Sequence, residues 1–189
     1  MTSGLNRRFF FTACAVELGL LGVAVAVSLL ARHDFLSLIE LNAADALIGA
    51  GAIAPMLVLF ALVLSASTGP FAEIRIFLDT VVRTAFGAWT VPMIACVSIL
   101  AGIAEEVLFR GVAQAGIASG LGQIPGLLIA SALFGACHAV NRPYALVAGV
   151  IGLYLGALFI LTGNLLAPIV THALYDFAAL LYLLKLRKP

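Results

Sequence analysis

Long apolar stretches dominate this chain of 189 residues and constrain its fold more than any other feature. A helix of about 20 apolar residues is long enough to cross the hydrocarbon core of a bilayer. Within lipid, helices are favoured because every backbone polar group must be satisfied inside the segment. Six stretches meet or approach this length: Phe9 to Leu30, Ala46 to Ser65, Trp89 to Phe109 or beyond, Ile124 to Ala139, Tyr144 to Leu161 and Leu165 to Leu184. The sequence therefore predicts an all-α fold, a polytopic bundle of about six transmembrane helices.

The composition supports an integral membrane protein with very little mass outside the bilayer. Hydrophobic residues make up 63% of the chain and charged residues 10%, which is far from the balance of a soluble domain. We expect one transmembrane domain over 1–189, with accessory helices in 1–86 and a functional core in 89–184. We expect no separate soluble catalytic domain. The net charge of +1 offers no basic surface, so we expect the lipid bilayer and not nucleic acid as a partner.

The segment between the second and third stretches has a mixed pattern. From Phe71 to Phe86, apolar residues recur near helical spacing while Glu73, Arg75 and Asp79 lie elsewhere on the helix. This pattern predicts a helix lying in the membrane interface, with a solvated linker helix as the alternative.

The first stretch follows Arg7-Arg8 and could be a signal peptide, but it is longer than a typical signal core. We interpret it as a retained first helix. Glu17 would then be a buried carboxylate that either serves a functional site or forms a structural hydrogen bond with a neighbouring helix.

Basic residues indicate the orientation, since cytoplasmic loops carry an excess of Lys and Arg. With six spans and the amino terminus inside, Arg32 and Arg110 would lie outside. The cytoplasmic side would carry Arg7, Arg8, Arg75, Arg83, Arg142, Lys185, Arg187 and Lys188. We expect a multi-pass protein of a bacterial or archaeal plasma membrane with both termini in the cytoplasm.

Charged residues within this apolar chain mark a candidate site. Glu105 and Glu106 follow a stretch, 84–104, that contains no charge. Each charge at a helix centre opposes membrane insertion by about 2.5–3.5 kcal/mol, so pairing must recover most of that cost. Glu106 and Arg110 are four residues apart and share a helix face, while Glu105 is turned about 100° away. A longer third helix that runs to about Ser119, tilted or broken around the glutamates, would bring them level with His138 on the next helix.

Two histidines complete the set of buried polar groups. His172 and Asp176 are four residues apart on the last helix, and Phe134 precedes His138 by the same spacing, so its ring would flank that imidazole. A carboxylate and an imidazole on adjacent helices can deprotonate water, which assigns Glu105 and His138 to water activation. His172 could donate to a developing oxyanion. Asp176 could orient His172 or bind substrate.

These residues form three motifs in the second half of the chain. They are Glu105-Glu106-x-x-x-Arg110, Phe134-x-x-x-His138 and His172-x-x-x-Asp176, in that order. From about Trp89 to Leu184 the chain thereby resembles the CPBP family, also called the Abi family. That family comprises CAAX prenyl proteases and bacteriocin-processing enzymes, which are glutamate-dependent intramembrane endopeptidases.

The resemblance implies roles for individual residues. Glu105 and His138 would activate water, Glu106 and Arg110 would support the site, and the last motif would line the oxyanion pocket. No metal and no other cofactor is expected. Prenyl-processing members usually carry asparagine where Asp176 stands, and an ionised acid cannot donate a hydrogen bond. Orienting His172 is therefore the role assigned to Asp176.

Other functional classes remain open from the sequence. Two histidines and a carboxylate could form a zinc site of a metal-dependent protease, although the chain lacks His-Glu-x-x-His. Buried Glu, His and Asp also build proton relays in transporters, and a scaffold or immunity protein could keep the cluster for binding. In the simplest case the polar groups only tie helices together. The protease hypothesis predicts a membrane-anchored or hydrophobic peptide or protein as substrate, such as a lipidated tail, a leader peptide or a sorting signal.

Overall fold

The computed structural model describes residues 3–32 and 34–187, and these residues form a bundle of helices. The all-α polytopic fold predicted from the sequence is confirmed. The helices of the first half are α1 (Ser3–Ala31), α2 (Ala43–Gly51), α3 (Ile53–Ser65), α4 (Gly69–Phe77) and α5 (Arg83–Phe86), with a π-helical turn, Leu78–Val82, joining the last two. Those of the second half are α6 (Val91–Glu106), α7 (Ala115–Leu121), α8 (Gln123–Cys137), α9 (Arg142–Thr162) and α10 (Leu166–Leu181). Two further π-helical segments, Val107–Gln114 and Tyr182–Leu186, continue α6 into α7 and extend α10.

Five helices of the described chain are long and apolar enough to span a bilayer. They are Arg7–Ala31, Ala43–Ser65, Val91–Leu121, Arg142–Thr162 and Leu166–Leu186. The predicted fourth span corresponds to α8, an apolar helix of only 15 residues. The third span is Val91–Leu121, so it continues beyond Phe109 and past Ser119. This agrees with the longer third helix that would bring the glutamates level with His138.

A hairpin of helices places the second motif beside the first. Gly122 separates α7 from α8 and has a φ of +93°, a backbone conformation that residues other than glycine rarely adopt. The chain therefore reverses sharply, and α8 runs back alongside α7 and the π-helical segment before it. Because Glu105 and His138 are nearly equally distant from Gly122 along the chain, the reversal brings them to the same depth.

Glycines allow α6 and α10 to approach closely, and this contact positions the third motif. A Cβ atom added at Gly102 would lie 2.9 Å from the backbone nitrogen of Ala173. The approach sets His172, the neighbour of Ala173, against Glu106. Gly152 on α9 likewise packs against Ser131 of α8, so these two helices also approach closely.

One end of the bundle is tied together by Asn164. Its amide nitrogen donates to the backbone oxygen of Glu40 at 2.7 Å and to Asp45 Oδ2 at 2.8 Å. Its amide oxygen accepts from the backbone nitrogens of Glu40 and Leu166 at 3.0 Å. These bonds fix the segment before α2 to the turn between α9 and α10.

The predicted helix of 71–86 is present as α4, the π-helical turn and α5. Its Ile74 side chain is buried, and Leu78, Val82 and Phe86 face the interior cavity described below. This helix therefore packs as part of the bundle wall. Its position in the membrane interface stays a prediction.

Arg110 was expected outside the membrane, but it is buried inside the bundle with 1% of its surface exposed, so that part of the orientation count is wrong. Lys188 lies outside the described residues.

Candidate active site

The three motifs converge in the middle of the bundle. Glu105 and Glu106 end α6, His138 follows the last residue of α8, and His172 with Asp176 lies on α10. Arg110 lies in the π-helical segment that begins directly after Glu106. Such widened turns occur frequently at functional sites.

Glu106 is the centre of the buried charge network and is fully buried. Its Oε1 accepts a hydrogen bond from Arg110 Nη1 at 2.8 Å and lies 2.8 Å from His172 Nδ1. The predicted pairing of Glu106 with Arg110 is therefore present. The contact between Glu106 and His172 joins α6 to α10, and it fixes the His172 ring by one of its two nitrogens.

Glu105 faces His138 on the side of α6 that points away from the Glu106 network. Glu105 Oε2 lies 3.7 Å from His138 Nε2, and this oxygen is buried without a hydrogen-bond partner in the described part of the chain. The distance is too long for a direct hydrogen bond but lets a single water molecule contact both atoms.

The tautomer of His138 follows from its other contact. Its Nδ1 lies 2.8 Å from the backbone oxygen of Phe134, and a carbonyl oxygen can only accept. We therefore assign the proton of the neutral ring to Nδ1. The Nε2 atom that faces Glu105 is then free to accept a proton.

Phe134 forms the platform of the site, as its spacing from His138 predicts. Its ring stacks on the His138 imidazole with centroids 4.5 Å apart, and Arg110 Cζ lies 4.6 Å from its centroid. Phe109 and His172 approach the same ring edge-on, at 5.1 and 6.1 Å. The aromatic ring thus contacts two motif side chains, His138 and Arg110.

Asp176 and Glu106 contact different nitrogens of the His172 ring. Its Oδ2 lies 3.5 Å from His172 Nε2, longer than the 2.8 Å contact of Glu106 with Nδ1. The better placed group for orienting His172 is therefore Glu106, to which the sequence assigned only support.

Gln114 is a site-supporting residue that sequence reasoning missed. Arg110 Nη2 donates to the backbone oxygen of Gly152 at 3.0 Å, and Gln114 Nε2 donates to that of Gly156 at the same distance. Both donors and both acceptors are four residues apart, so two parallel bonds join this helix to α9. The matched spacing was the available signal, together with the glycine pair that leaves these carbonyls accessible.

An apolar cavity of about 270 Å³ adjoins the polar cluster. Glu105, His138, His172 and Asp176 line one part of it. The remaining wall comes from α3, the helix of 69–86, α9 and α10, and includes Phe60, Tyr144, Ile151, Tyr175 and Leu183. The two tyrosines are polar lining residues that the sequence analysis did not select.

Glu17 of α1 is partly buried. Its Oε2 is buried and has no hydrogen-bond partner among residues 3–32 and 34–187. The structural hydrogen bond considered for this side chain is therefore not present at that atom.

Comparison with known families identifies the region that carries the site. Residues 87–178 match the family model described as type II CAAX prenyl endopeptidase Rce1-like. This region of the chain belongs to the CAAX protease family. No curated protein sequence and no solved structure matches the chain at a significant level.

Similarity to the CAAX protease family over this region indicates the general activity. It supports an integral membrane protease of the CAAX type, which implies membrane-associated peptides or proteins as substrates. The matched region begins just before α6 and ends within α10, so it contains all three motifs. In the described residues, no group of three His, Cys, Asp or Glu side chains is arranged as a metal-ligand set.

Proposed function

We propose that this protein is a glutamic-type intramembrane endopeptidase in which Glu105 and His138 activate the attacking water. The observation that carries the proposal is the 3.7 Å separation of Glu105 Oε2 from His138 Nε2 beside an apolar cavity. A water molecule between these atoms has two acceptors for its two protons and can present its lone pair to a peptide carbonyl.

The proton inventory assigns separate tasks to the two groups. Glu105 takes the proton of the attacking water and later passes it to the leaving amine, while His138 accepts the second hydrogen bond through Nε2. The Phe134 carbonyl holds the His138 proton on Nδ1 and keeps that acceptor aimed at the water. General acid–base catalysis of this kind contributes about 10²- to 10⁴-fold to the rate.

His172 stabilises the oxyanion that forms on the carbonyl oxygen of the scissile bond. Glu106 accepts from its Nδ1, so the ring in its doubly protonated form donates from Nε2 towards the cavity. Glu106 and Arg110 support this arrangement, since Arg110 balances the charge of Glu106 at 2.8 Å. Asp176 completes the charge balance around His172 from the cavity side.

The substrate is an apolar segment or a lipid-modified tail of a membrane-associated protein. Beyond the polar cluster, the cavity is lined mainly by aliphatic and aromatic side chains. An apolar group of the substrate can therefore pack against these side chains. A prenylated tail, a leader peptide and a sorting signal each satisfy this requirement.

Two substitutions test the assignment. Glu105→Gln and His138→Ala are each expected to reduce cleavage of a panel of membrane-anchored peptides by at least about 100-fold, because each removes one half of the water-activating pair. Mass spectrometry of peptide products in proteoliposomes measures the cleavage. Glu73→Gln is the matched control, since it neutralises an exposed carboxylate on α4 and should leave cleavage unchanged.

Full turnover in either site variant would contradict the water-activating pair. Loss of cleavage on chelation, with recovery on adding zinc, would instead support a metal-dependent protease. A wild-type protein that moves protons or solutes across vesicles but releases no peptide product would support the transporter hypothesis.

A further inference from the structure

Two tyrosines line the cavity without a role in the proposed chemistry. Tyr144 and Tyr175 share the cavity with Glu105, His138, His172 and Asp176. Neither hydroxyl has a hydrogen-bond partner within the part of the chain that the structure describes. Tyr154, by contrast, donates its hydroxyl to the backbone oxygen of Ala52 at 2.8 Å. A partly buried phenol without a protein partner is a donor available to a ligand.

The backbone holds Tyr144 firmly at the start of α9. Asn141 caps this helix, and its side-chain oxygen accepts from the backbone nitrogen of Tyr144 at 2.8 Å. The same short connection carries His138, so the tyrosine and the imidazole are fixed by one piece of chain. On the other side, the Tyr144 ring meets Phe77 of α4 edge-on, with centroids 5.5 Å apart. These contacts limit the directions in which the hydroxyl can point.

Tyr144 is the phenol that lies closer along the chain to the water-activating pair. It lines the same cavity as Glu105 and His138 and follows His138 by six residues. Tyr175 lines the cavity from α10, beside Asp176. Of the two phenols, Tyr144 is therefore the one that shares a short connection with a residue next to which the attacking water is proposed to bind.

The proposed mechanism also leaves a chemical need that a phenol can meet. Oxyanion stabilisation in proteases usually relies on more than one donor, and removing a single donor costs about 10²- to 10³-fold in rate. His172 supplies one donor through Nε2. Asp176 lies on the same helix as His172, and when it is ionised its carboxylate can accept hydrogen bonds but cannot donate one.

We propose that the hydroxyl of Tyr144 donates a hydrogen bond to the carbonyl oxygen of the scissile peptide bond. This hydrogen bond becomes stronger as negative charge develops on that oxygen. No covalent bond to Tyr144 forms or breaks, and its proton stays on the phenol throughout. This inference rests on the proposed peptidase function and adds a catalytic residue to it.

Two substitutions that each remove one hydroxyl test the inference. Tyr144→Phe is expected to lower kcat by about 100-fold with KM nearly unchanged, because the bond matters most in the transition state. Tyr154→Phe is the matched control and should keep kcat within about twofold, since its hydroxyl donates to the backbone oxygen of Ala52 and does not line the cavity. Cleavage of membrane-anchored peptides in proteoliposomes supplies both constants.

Binding of a tetrahedral analogue gives a second readout that does not need turnover. A phosphinate version of a cleaved peptide presents an oxyanion, so Tyr144→Phe should weaken its binding by about the factor lost in kcat. Binding of the uncleaved peptide to a Glu105→Gln protein should not change when Tyr144→Phe is added. Equal phosphinate affinity in wild type and Tyr144→Phe would overturn the inference.

The remaining outcomes are also decisive. Because the Tyr144 hydroxyl has no protein partner, Tyr144→Phe should unfold at the wild-type temperature, and a large loss of stability would show a structural role and overturn the inference. Wild-type kcat in Tyr144→Phe would overturn it as well, while leaving Glu105 and His138 in place. Failure of the wild-type protein to cleave any peptide would count against the proposed function itself.

Discussion

At the scale of single residues, Glu106 is the group on which the polar cluster depends. A buried carboxylate needs a partner for its charge and donors for its oxygens, because removal from water costs several kcal/mol. Arg110 supplies both the charge and a donor to Oε1, and His172 supplies a second donor. Arg110 itself is satisfied by Gly152 and by the face of Phe134. Removing any one of these partners leaves a polar group unpaired in an apolar interior.

Arg110→Met should therefore destabilise the protein strongly. Methionine has a similar length but removes the guanidinium that pairs with Glu106, and breaking a buried pair in this way costs about 3–5 kcal/mol. Thermal unfolding of the detergent-solubilised protein measures the effect. The expected result is a clear fall in melting temperature together with loss of cleavage.

Arg110→Lys separates the charge from the geometry. Lysine keeps the charge but cannot bond Glu106 and Gly152 through a planar fork, so its melting temperature should lie between those of wild type and Arg110→Met. An Arg110→Met protein with the melting temperature of the wild type would show that the ion pair contributes nothing to stability.

Spacing along one helix predicted some of these contacts but not others. The pair of Glu106 with Arg110 and the stacking of Phe134 on His138 follow from residues four apart on the same helix face. The bond between Glu106 and His172 crosses from α6 to α10, and no spacing in the sequence fixes the rotation of one helix relative to another. The partner-free hydroxyl of Tyr144 is likewise visible only when the cavity is known.

At the scale of helices, the contact between α6 and α10 sets the distance between Glu106 and His172. Gly102 lies on α6 one turn before Glu106, and Ala173 lies next to His172. A methyl group at position 102 would come within 2.8 Å of the Ala173 Cβ and 3.0 Å of its Cα. Because the backbone of α10 cannot yield without moving His172, Gly102 determines the geometry of the site.

Gly102→Ala should lower cleavage by separating these two helices. A shift of a few tenths of an ångström or more is needed to fit the methyl group, and it would lengthen the 2.8 Å contact between Glu106 and His172. We expect at least a tenfold loss of kcat, since misplacing catalytic groups by about 1 Å can cost 10²-fold. Peptide cleavage in proteoliposomes and thermal unfolding are the two measurements.

Gly116→Ala is the matched control on the same long span. A Cβ atom at Gly116 meets nothing within 4 Å, and alanine favours helix over glycine by up to about 1 kcal/mol. This variant should keep its activity and melt at or above the wild-type temperature. Similar losses in both variants would argue against the close approach of α6 and α10 as the cause.

Helices were more predictable than their irregularities. The six apolar stretches correspond in order to the five long spans and the shorter α8, because each helix must satisfy its own backbone in lipid. The shortness of α8 follows from Gly122, which precedes it, and from Asn141 and Pro143, which begin α9 soon after it. The π-helical segment after Glu106 has no sequence signature of its own, since it depends on how α6 packs against its neighbours.

At the scale of the whole molecule, the cavity reaches only one end of the bundle. Its lining comes from the carboxyl-terminal halves of α3 and α10, from the helix of 69–86 and from the first turns of α9. The opposite end contains Arg32 and the turn that Asn164 ties to Glu40 and Asp45. The end that bears the cavity also holds most cations: Arg75, Arg83, Arg142, Lys185 and Arg187. We therefore expect substrate to enter from the cytoplasmic side.

Labelling of introduced cysteines tests this orientation. In a protein whose Cys14, Cys96 and Cys137 are replaced by alanine, Thr80→Cys marks the cavity end and Ser119→Cys marks the other, and both positions are exposed. A membrane-impermeant maleimide added to intact cells should label Ser119→Cys and leave Thr80→Cys unlabelled. Inverted membrane vesicles should give the reverse pattern, because the lipid barrier then protects the other end. Labelling of Thr80→Cys from outside intact cells would place the cavity on the external face, and the substrate would then have to be presented after export.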